Sequence, residues 1–290
     1  MFIFWLSFAF LFGSMMGSFL NCLVWRLYHD ESLWTRSHCP KCQHQIAWYD
    51  NIPLFSFLVL RARCRHCQVR IHWQYFATEL ALALLFAFAF WYRFQGLSDF
   101  ILIEQISSWN IYSLSLLRDW LIIAFFSAIF IMDYQWYVVA DEISLPGIIS
   151  VFIFSLVMGL VWPDWATAFS WSNLILATLV GAGFFSLQYY FSGGRWVGAG
   201  DIRIGALMGA SLGWPGILVG LALAYFIGSL ASIYLIAVRQ KQSFSFKHLW
   251  EPGEPTEQAI IPFGPFLALG ALIALFYGEA IITWYQNLIL

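Results

Sequence analysis

The chain has 290 residues, of which 61% are hydrophobic and only 10% charged, against about 25% charged in a soluble domain. With a mean hydropathy of +0.74, this composition excludes an ordinary water-soluble globular protein and makes lipid the main solvent. The net charge of -2 says little by itself; how the charges are distributed along the chain is what carries information.

In chain order, the first apolar run spans 2–25. It has no Lys or Arg ahead of it and no Ala-x-Ala-like cleavage site after it, so it reads as a retained span rather than a signal peptide. A helix needs about 20 apolar residues to cross a bilayer core. Seven further runs qualify, over 78–92, 119–133, 142–162, 172–191, 202–214, 216–238 and 259–278, the second, third and sixth of the eight being short. Trp25, Trp91, Trp120, Trp136, Trp162 and Trp171 lie near the ends of these runs, where indole rings prefer the headgroup zone. The expected fold is an all-α polytopic membrane protein of about eight transmembrane helices, with a small zinc-ribbon-like cytoplasmic loop domain. The expected division is a first helix over 1–25, the loop domain over 26–77 and a seven-helix catalytic domain over 78–290.

If all eight runs cross, the loops alternate sides. One set holds Arg26, Arg36, Lys41, Arg61, Arg63, Arg65, Arg70, Arg195, Arg203, Arg239, Lys241 and Lys247. The other holds only Arg93 and Arg118. That bias puts the N-terminus outside and the first large loop in the cytoplasm. The segment 93–118 reads as a polar loop on the outer side, and 239–258, with Pro252, Gly253 and Pro255, as a cytoplasmic one. Gly13 with Gly17, and Gly205, Gly209 and Gly213, recur every four residues and are expected as packing faces, since small residues let helix backbones approach in lipid.

Two Cys-x-x-Cys knuckles, Cys39-Pro40-Lys41-Cys42 and Cys64-Arg65-His66-Cys67, offer four thiolates to one tetrahedral ion, the pattern of a structural zinc site. Two disulfides are the competing reading, and a reducing cytoplasmic location argues against them. His38, His44, His66 and His72 lie nearby, but four thiolates already complete the shell. Cys22 sits in the first run as a small apolar packing residue.

Two carboxylates remain at the edges of apolar runs: Asp133 at the end of the third and Asp201 in Gly198-Ala199-Gly200-Asp201 at the start of the sixth. Ionisable side chains there are costly and read first as functional. By loop parity both meet the cytoplasmic face. Two carboxylates a few ångströms apart cannot both ionise, so one activates water while the other, protonated, polarises a carbonyl: aspartic peptide-bond hydrolysis. Gly198 and Gly200 remove side chains beside Asp201 and so are expected to let a substrate backbone come near. The plainer readings are that Asp201 caps a helix and that Asp133 merely ends a span. Asp141, followed by Glu142, looks like the cap of the fourth span.

Five motifs in this order carry a resemblance to a known family. They are Gly17-Ser18-Phe19-Leu20-Asn21 with Arg26; the four-cysteine loop with Asp50-Asn51-Ile52-Pro53; Asp133 to Asp141; Gly198 to Asp201; and Ile261-Pro262-Phe263-Gly264-Pro265-Phe266-Leu267. The chain resembles the bacterial type IV prepilin leader peptidases, the bifunctional peptidase and N-methyltransferases of pilus and type II secretion systems. The resemblance implies an inner-membrane enzyme that cuts a short basic leader from prepilin or pseudopilin precursors at the cytoplasmic face, with Asp133 and Asp201 as the catalytic pair. It implies zinc in the four-cysteine loop and S-adenosylmethionine as methyl donor, with no nucleic-acid partner. Methylation is implied by the resemblance alone; Asn21, Arg26, Asp50 and Glu79 are the polar residues near the cytoplasmic edge that would line its site. Two departures stand out. The family's Leu-Pro-Asp is here Val139-Ala140-Asp141, and its Tyr-Pro before the second span is Tyr75-Phe76. The alternatives are a peptidase without methyltransferase activity, a proton-coupled transporter with a zinc-stapled loop, and a non-catalytic scaffold.

Overall fold

A computed structural model describes residues 1–95, 106–161, 170–239 and 262–289. Among these residues the chain is helical, with no strand beyond two isolated bridges. The elements are α1 (Phe2–Tyr28), a 3-10 turn (Trp48–Asn51), α2 (Phe55–Val59), α3 (Trp73–Phe94), α4 (Ile106–Trp136), α5 (Asp141–Val161), α6 (Trp171–Ser192), α7 (Ala199–Leu212), α8 (Gly216–Arg239) and α9 (Gly264–Ile289). Among the described residues, seven helices are long and apolar enough to cross a membrane. The exception among the eight expected spans is α7, whose 14 residues reach only about 21 Å at 1.5 Å per residue.

The chain forms two compact units. The first comprises residues 1–132 and 140–170. Here α1 lies along α3 because Gly13 and Gly17 present no side chain: a Cβ on Gly17 would stand 2.6 Å from the Glu79 Cα, and one on Gly13 2.6 Å from the Leu82 carbonyl. Trp120 stacks on Phe86 at 5.2 Å and donates its indole N–H to the Phe86 carbonyl at 3.1 Å. The loop reading of 93–118 is corrected here. Helix α4 already runs from Ile106, and Arg118 and Asp119 are buried within it. Asp119 accepts from Arg93 at 2.6 and 3.1 Å, and Arg118 donates to Ser155 on α5 at 2.9 Å. Paired and hydrogen-bonded charges can be buried where a single one cannot, so these residues do not end the span as their charge suggested.

The second unit comprises residues 133–139 and 171–290. Helices α6 and α7 touch backbone to backbone: a Cβ on Gly205 or Gly209 would collide with the carbonyls of Gly181 or Ala177. Gly213 ends α7 with φ 65°, a conformation that favours glycine. Helices α8 and α9 meet in the same manner where Gly270 lies 2.6 Å, as measured from a Cβ built on it, from the Gly220 carbonyl. The loop read over 239–258, apart from the backbone of Arg239, and Ile261 and Trp162 lie outside the described residues.

Candidate active site

Asp133 sits in the last turn of α4 and Asp201 in the first turn of α7. Both belong to the second unit, and both are buried, at 7% and 8% exposure. Both helix ends meet at Gly264, where a Cβ would stand 3.0 Å from Asp133 Cγ and 3.2 Å from Cδ1 of Ile204, three residues beyond Asp201 on α7. Each carboxylate is held by one backbone N–H through its Oδ2: Gly264 donates to Asp133 and Gly198 to Asp201, both at 2.9 Å. The capping reading of Asp201 is corrected in position: Gly198 is the N-cap of α7, and Asp201, at the third helical residue, accepts the Gly198 N–H through Oδ2.

The segment after Asp133 packs on the start of α7. Arg203 donates to the Val139 carbonyl at 3.3 Å, and Gly200 lies against the Val139 side chain, where a Cβ would stand 2.7 Å from it. The two glycines thus differ in role. Gly200 makes room for Val139, whereas a Cβ on Gly198 would meet nothing nearer than Asp201 Oδ2 at 3.8 Å. Asp141 and Glu142 lie in the first turn of α5, and the residue before them, Ala140, accepts the first N–H groups of the helix, from Ile143 and Ser144.

Gly264 is the functional residue that sequence reasoning missed, although its motif was in view. Nothing in a Gly-Pro pair predicts that its N–H meets a carboxylate more than a hundred residues away. Beside the pair, Tyr225 donates to Gln188 at 3.1 Å, packs on Phe263 at 5.0 Å and lies within electrostatic range of Asp201.

The four cysteines lie in the first unit. Their Sγ atoms all fall within 4.8 Å of one another, with Cys39 and Cys67 at 3.8 Å. Four sulfurs about 2.3 Å from a tetrahedral zinc stand about 3.8 Å apart, so the donor set fits that ion, and none of the cysteines is in a disulfide. The knuckles are built alike. In each, the first cysteine's N–H bonds a carbonyl five residues on (Cys39 to His44, Cys64 to Val69) and its carbonyl accepts from the residue four on (Gln43, Gln68), both of which have positive φ. N–H groups of Cys67 and His66 hold the Cys64 thiol down to about 7. Cys67 is pushed up to about 11: the Val69 N–H favours its thiolate, but burial and the neighbouring thiols outweigh it. Metal analysis of the purified chain is expected to return about one zinc per chain, falling to near none in Cys39→Ser/Cys64→Ser.

The four residues read as a methyl-donor site do not form one cradle. Asp50 is gripped by Arg65 at 2.5 and 2.7 Å, which holds its carboxyl below the usual range. Arg26 is buried and donates to the Leu33 and Thr35 carbonyls at 2.6 and 2.7 Å. Only Asn21 and Glu79 share the seam between α1 and α3. Asn21 bonds Thr78, and Glu79 accepts the Leu54 N–H at 2.7 Å. Leu54 has φ 62° and ψ -49°, with Phe55 N–H on the Pro53 carbonyl at 2.6 Å. This is the rare strained γ-turn, and Glu79 holds it.

Fold and site define a class: a polytopic membrane enzyme whose paired carboxylates suit aspartic hydrolysis. Comparison with known proteins places it more closely. Residues 11–93 match the Bacterial Peptidase A24 N-terminal domain and residues 120–233 the Type IV leader peptidase family. The chain is 30% identical to the "Prepilin leader peptidase/N-methyltransferase" of Aeromonas salmonicida, over 99% of this chain and 96% of that one. It is 31% identical to the protein of the same name from Aeromonas hydrophila, over 97% and 94%. It is 29% identical to the "Type 4 prepilin-like proteins leader peptide-processing enzyme" of Escherichia coli O78:H11, over 91% of each. The chain belongs to the type IV leader peptidase family. No solved structure is a significant match.

Proposed function

We propose that this protein removes the leader from type IV prepilin or pseudopilin precursors and then methylates the new N-terminal residue, the two activities that its relatives' names carry. We place it in the bacterial inner membrane, with the N-terminus outside and the carboxylate pair at the cytoplasmic edge, on the strength of the loop charges. The observation that carries the peptidase reading is the approach of Asp133 and Asp201, two buried acids from distant parts of the chain, each steadied by one backbone N–H.

In the proposed reaction the ionised member of the pair takes a proton from water as the water oxygen attacks the scissile carbonyl. The protonated member gives its proton to the carbonyl oxygen. As the tetrahedral intermediate collapses, the C–N bond breaks and the proton taken from water passes to the departing amine, while the carbonyl reforms and returns the other proton. The pair then holds one proton again and titrates as a unit. The N–H groups of Gly264 and Gly198 fix which oxygens face the substrate, and Gly198 leaves room for its backbone. A four-cysteine module over 26–77, held by zinc, and a seven-helix catalytic region over 78–290 remain our division of labour.

S-adenosylmethionine is the methyl donor implied by the resemblance and, when bound, supplies an activated methyl group. Asn21 and Glu79, on one helix seam, are the residues we propose for its edge. Mass analysis of a precursor incubated with the purified chain tests both activities together. The expected product is a shortened chain carrying one added methyl. A shortened chain without it would retain the peptidase and remove the methyltransferase; an uncut precursor would overturn the whole reading.

A further inference from the structure

Between α1 and α3 lies a patch that neither proposed activity uses. Ser56 donates to the Tyr49 carbonyl at 3.1 Å, which pins the 3-10 turn Trp48–Asn51 to α2 and brings their outer side chains into one neighbourhood. Those side chains are apolar and uncovered: Trp48 is 80% exposed, Phe55 60%, Leu58 63% and Val59 57%. Basic side chains follow at once, with Arg61, Arg63, Arg65 and Arg70 all exposed. The acid beside them, Asp50, is taken by Arg65.

Exposed apolar side chains gathered on neighbouring turns beside a run of cations mark an interaction site. Three features say what covers this one. First, the segment leaves the membrane at the end of α1 (Phe2–Tyr28) and re-enters it at the start of α3 (Trp73–Phe94), so both its ends are fixed at the headgroup layer. Second, residues 26–77 hold seven basic against three acidic side chains, an excess that a dianionic zinc–tetrathiolate centre would halve without reversing. A basic partner is repelled and an anionic one attracted. Third, a short aromatic and aliphatic stretch running straight into arginines is the composition of a segment that lies in the lipid interface, apolar side chains down and cations among the headgroup phosphates.

We propose that the patch formed by Trp48, Phe55, Leu58 and Val59, with Arg61 and Arg63, seats on the anionic headgroup layer of the same membrane that α1 and α3 cross. The four-cysteine module is thereby held flat against the lipid. The inference rests on α1 and α3 being membrane spans; it does not depend on either catalytic activity.

The test is amide hydrogen exchange on the full-length protein in nanodiscs of phosphatidylcholine, with and without added phosphatidylglycerol. Exchange over α2 and Leu60–Arg63 is expected to slow at least about tenfold when the anionic lipid is present, because each basic residue at such a surface is worth roughly fivefold. High salt should reverse the slowing. Phe55→Ser/Leu58→Ser, which changes only exposed positions, should abolish it with zinc retained, and Arg61→Gln/Arg63→Gln should reduce it. Equal exchange in the two discs overturns the proposal. If that exchange is fast, the patch faces water; if slow, another part of the chain or a second protein covers it. Slowing that survives both variants overturns it as well.

Discussion

Asp133→Asn and Asp201→Asn are each expected to abolish leader cleavage, by at least about three orders of magnitude, while the protein still inserts and keeps its fold. The amide has the size of the carboxylate and still accepts the backbone N–H of Gly264 or Gly198, bonded at 2.9 Å in the native protein. What it cannot do is hold or give up the catalytic proton. Because the pair works as a unit, Asp133→Asn/Asp201→Asn is expected to be no worse than either single variant. Initial rates on a purified precursor, with insertion checked by protease protection, decide the matter. Cleavage at the native rate by either variant would remove that residue from the catalytic role, and with it the aspartic mechanism at this site.

Gly264→Ala is the second large effect, and it is expected at a residue with no reactive group. The variant keeps its N–H, so loss of a donor is not the cause. A Cβ at this position would collide with Asp133 Oδ2, stand 3.0 Å from its Cγ and 3.2 Å from Ile204 Cδ1. The carboxylate must therefore swing away from the position in which it meets Asp201. A displacement of about 1 Å at a reacting group costs on the order of a hundredfold in rate, so kcat for leader cleavage should fall by about ten- to a hundredfold with KM little changed. The thermal transition should stay close to that of the native protein, since a single methyl at a helix start is absorbed locally. A fall in KM-dependent binding with kcat intact would instead place Gly264 on the substrate path, and native kinetics would show that Asp133 does not depend on this neighbour.

These two predictions draw on different kinds of information. Asp133 and Asp201 stand out as candidates in the sequence, because an acid at the edge of an apolar run is costly, although a helix cap or a span end would explain either one alone. The importance of Gly264 is not legible there. Its motif stands out in the chain, but its partner is reached only when α9 is laid beside the end of α4. The same holds for Arg118 and Asp119. Hydropathy treats each charge as an isolated cost and so cut the third span short, whereas the structure pairs them with Arg93 and Ser155 inside a 31-residue helix. The methyl-donor reading met the opposite difficulty. Asn21, Arg26, Asp50 and Glu79 share a polar character and an expected place near the cytoplasmic edge, but side-chain direction turns Arg26 and Asp50 onto partners of their own.

By itself the sequence determined the membrane class, the helical architecture, the four-thiol site and the two acids, because each follows from local composition or spacing. Only the tertiary structure decided which backbone N–H steadies each acid, that Gly200 serves Val139 while Gly198 stays open, and that the charges near residue 118 are buried within a helix. Those are contacts between segments remote in the chain, and their existence depends on helix packing at glycine seams, which hydropathy and motif spacing do not encode.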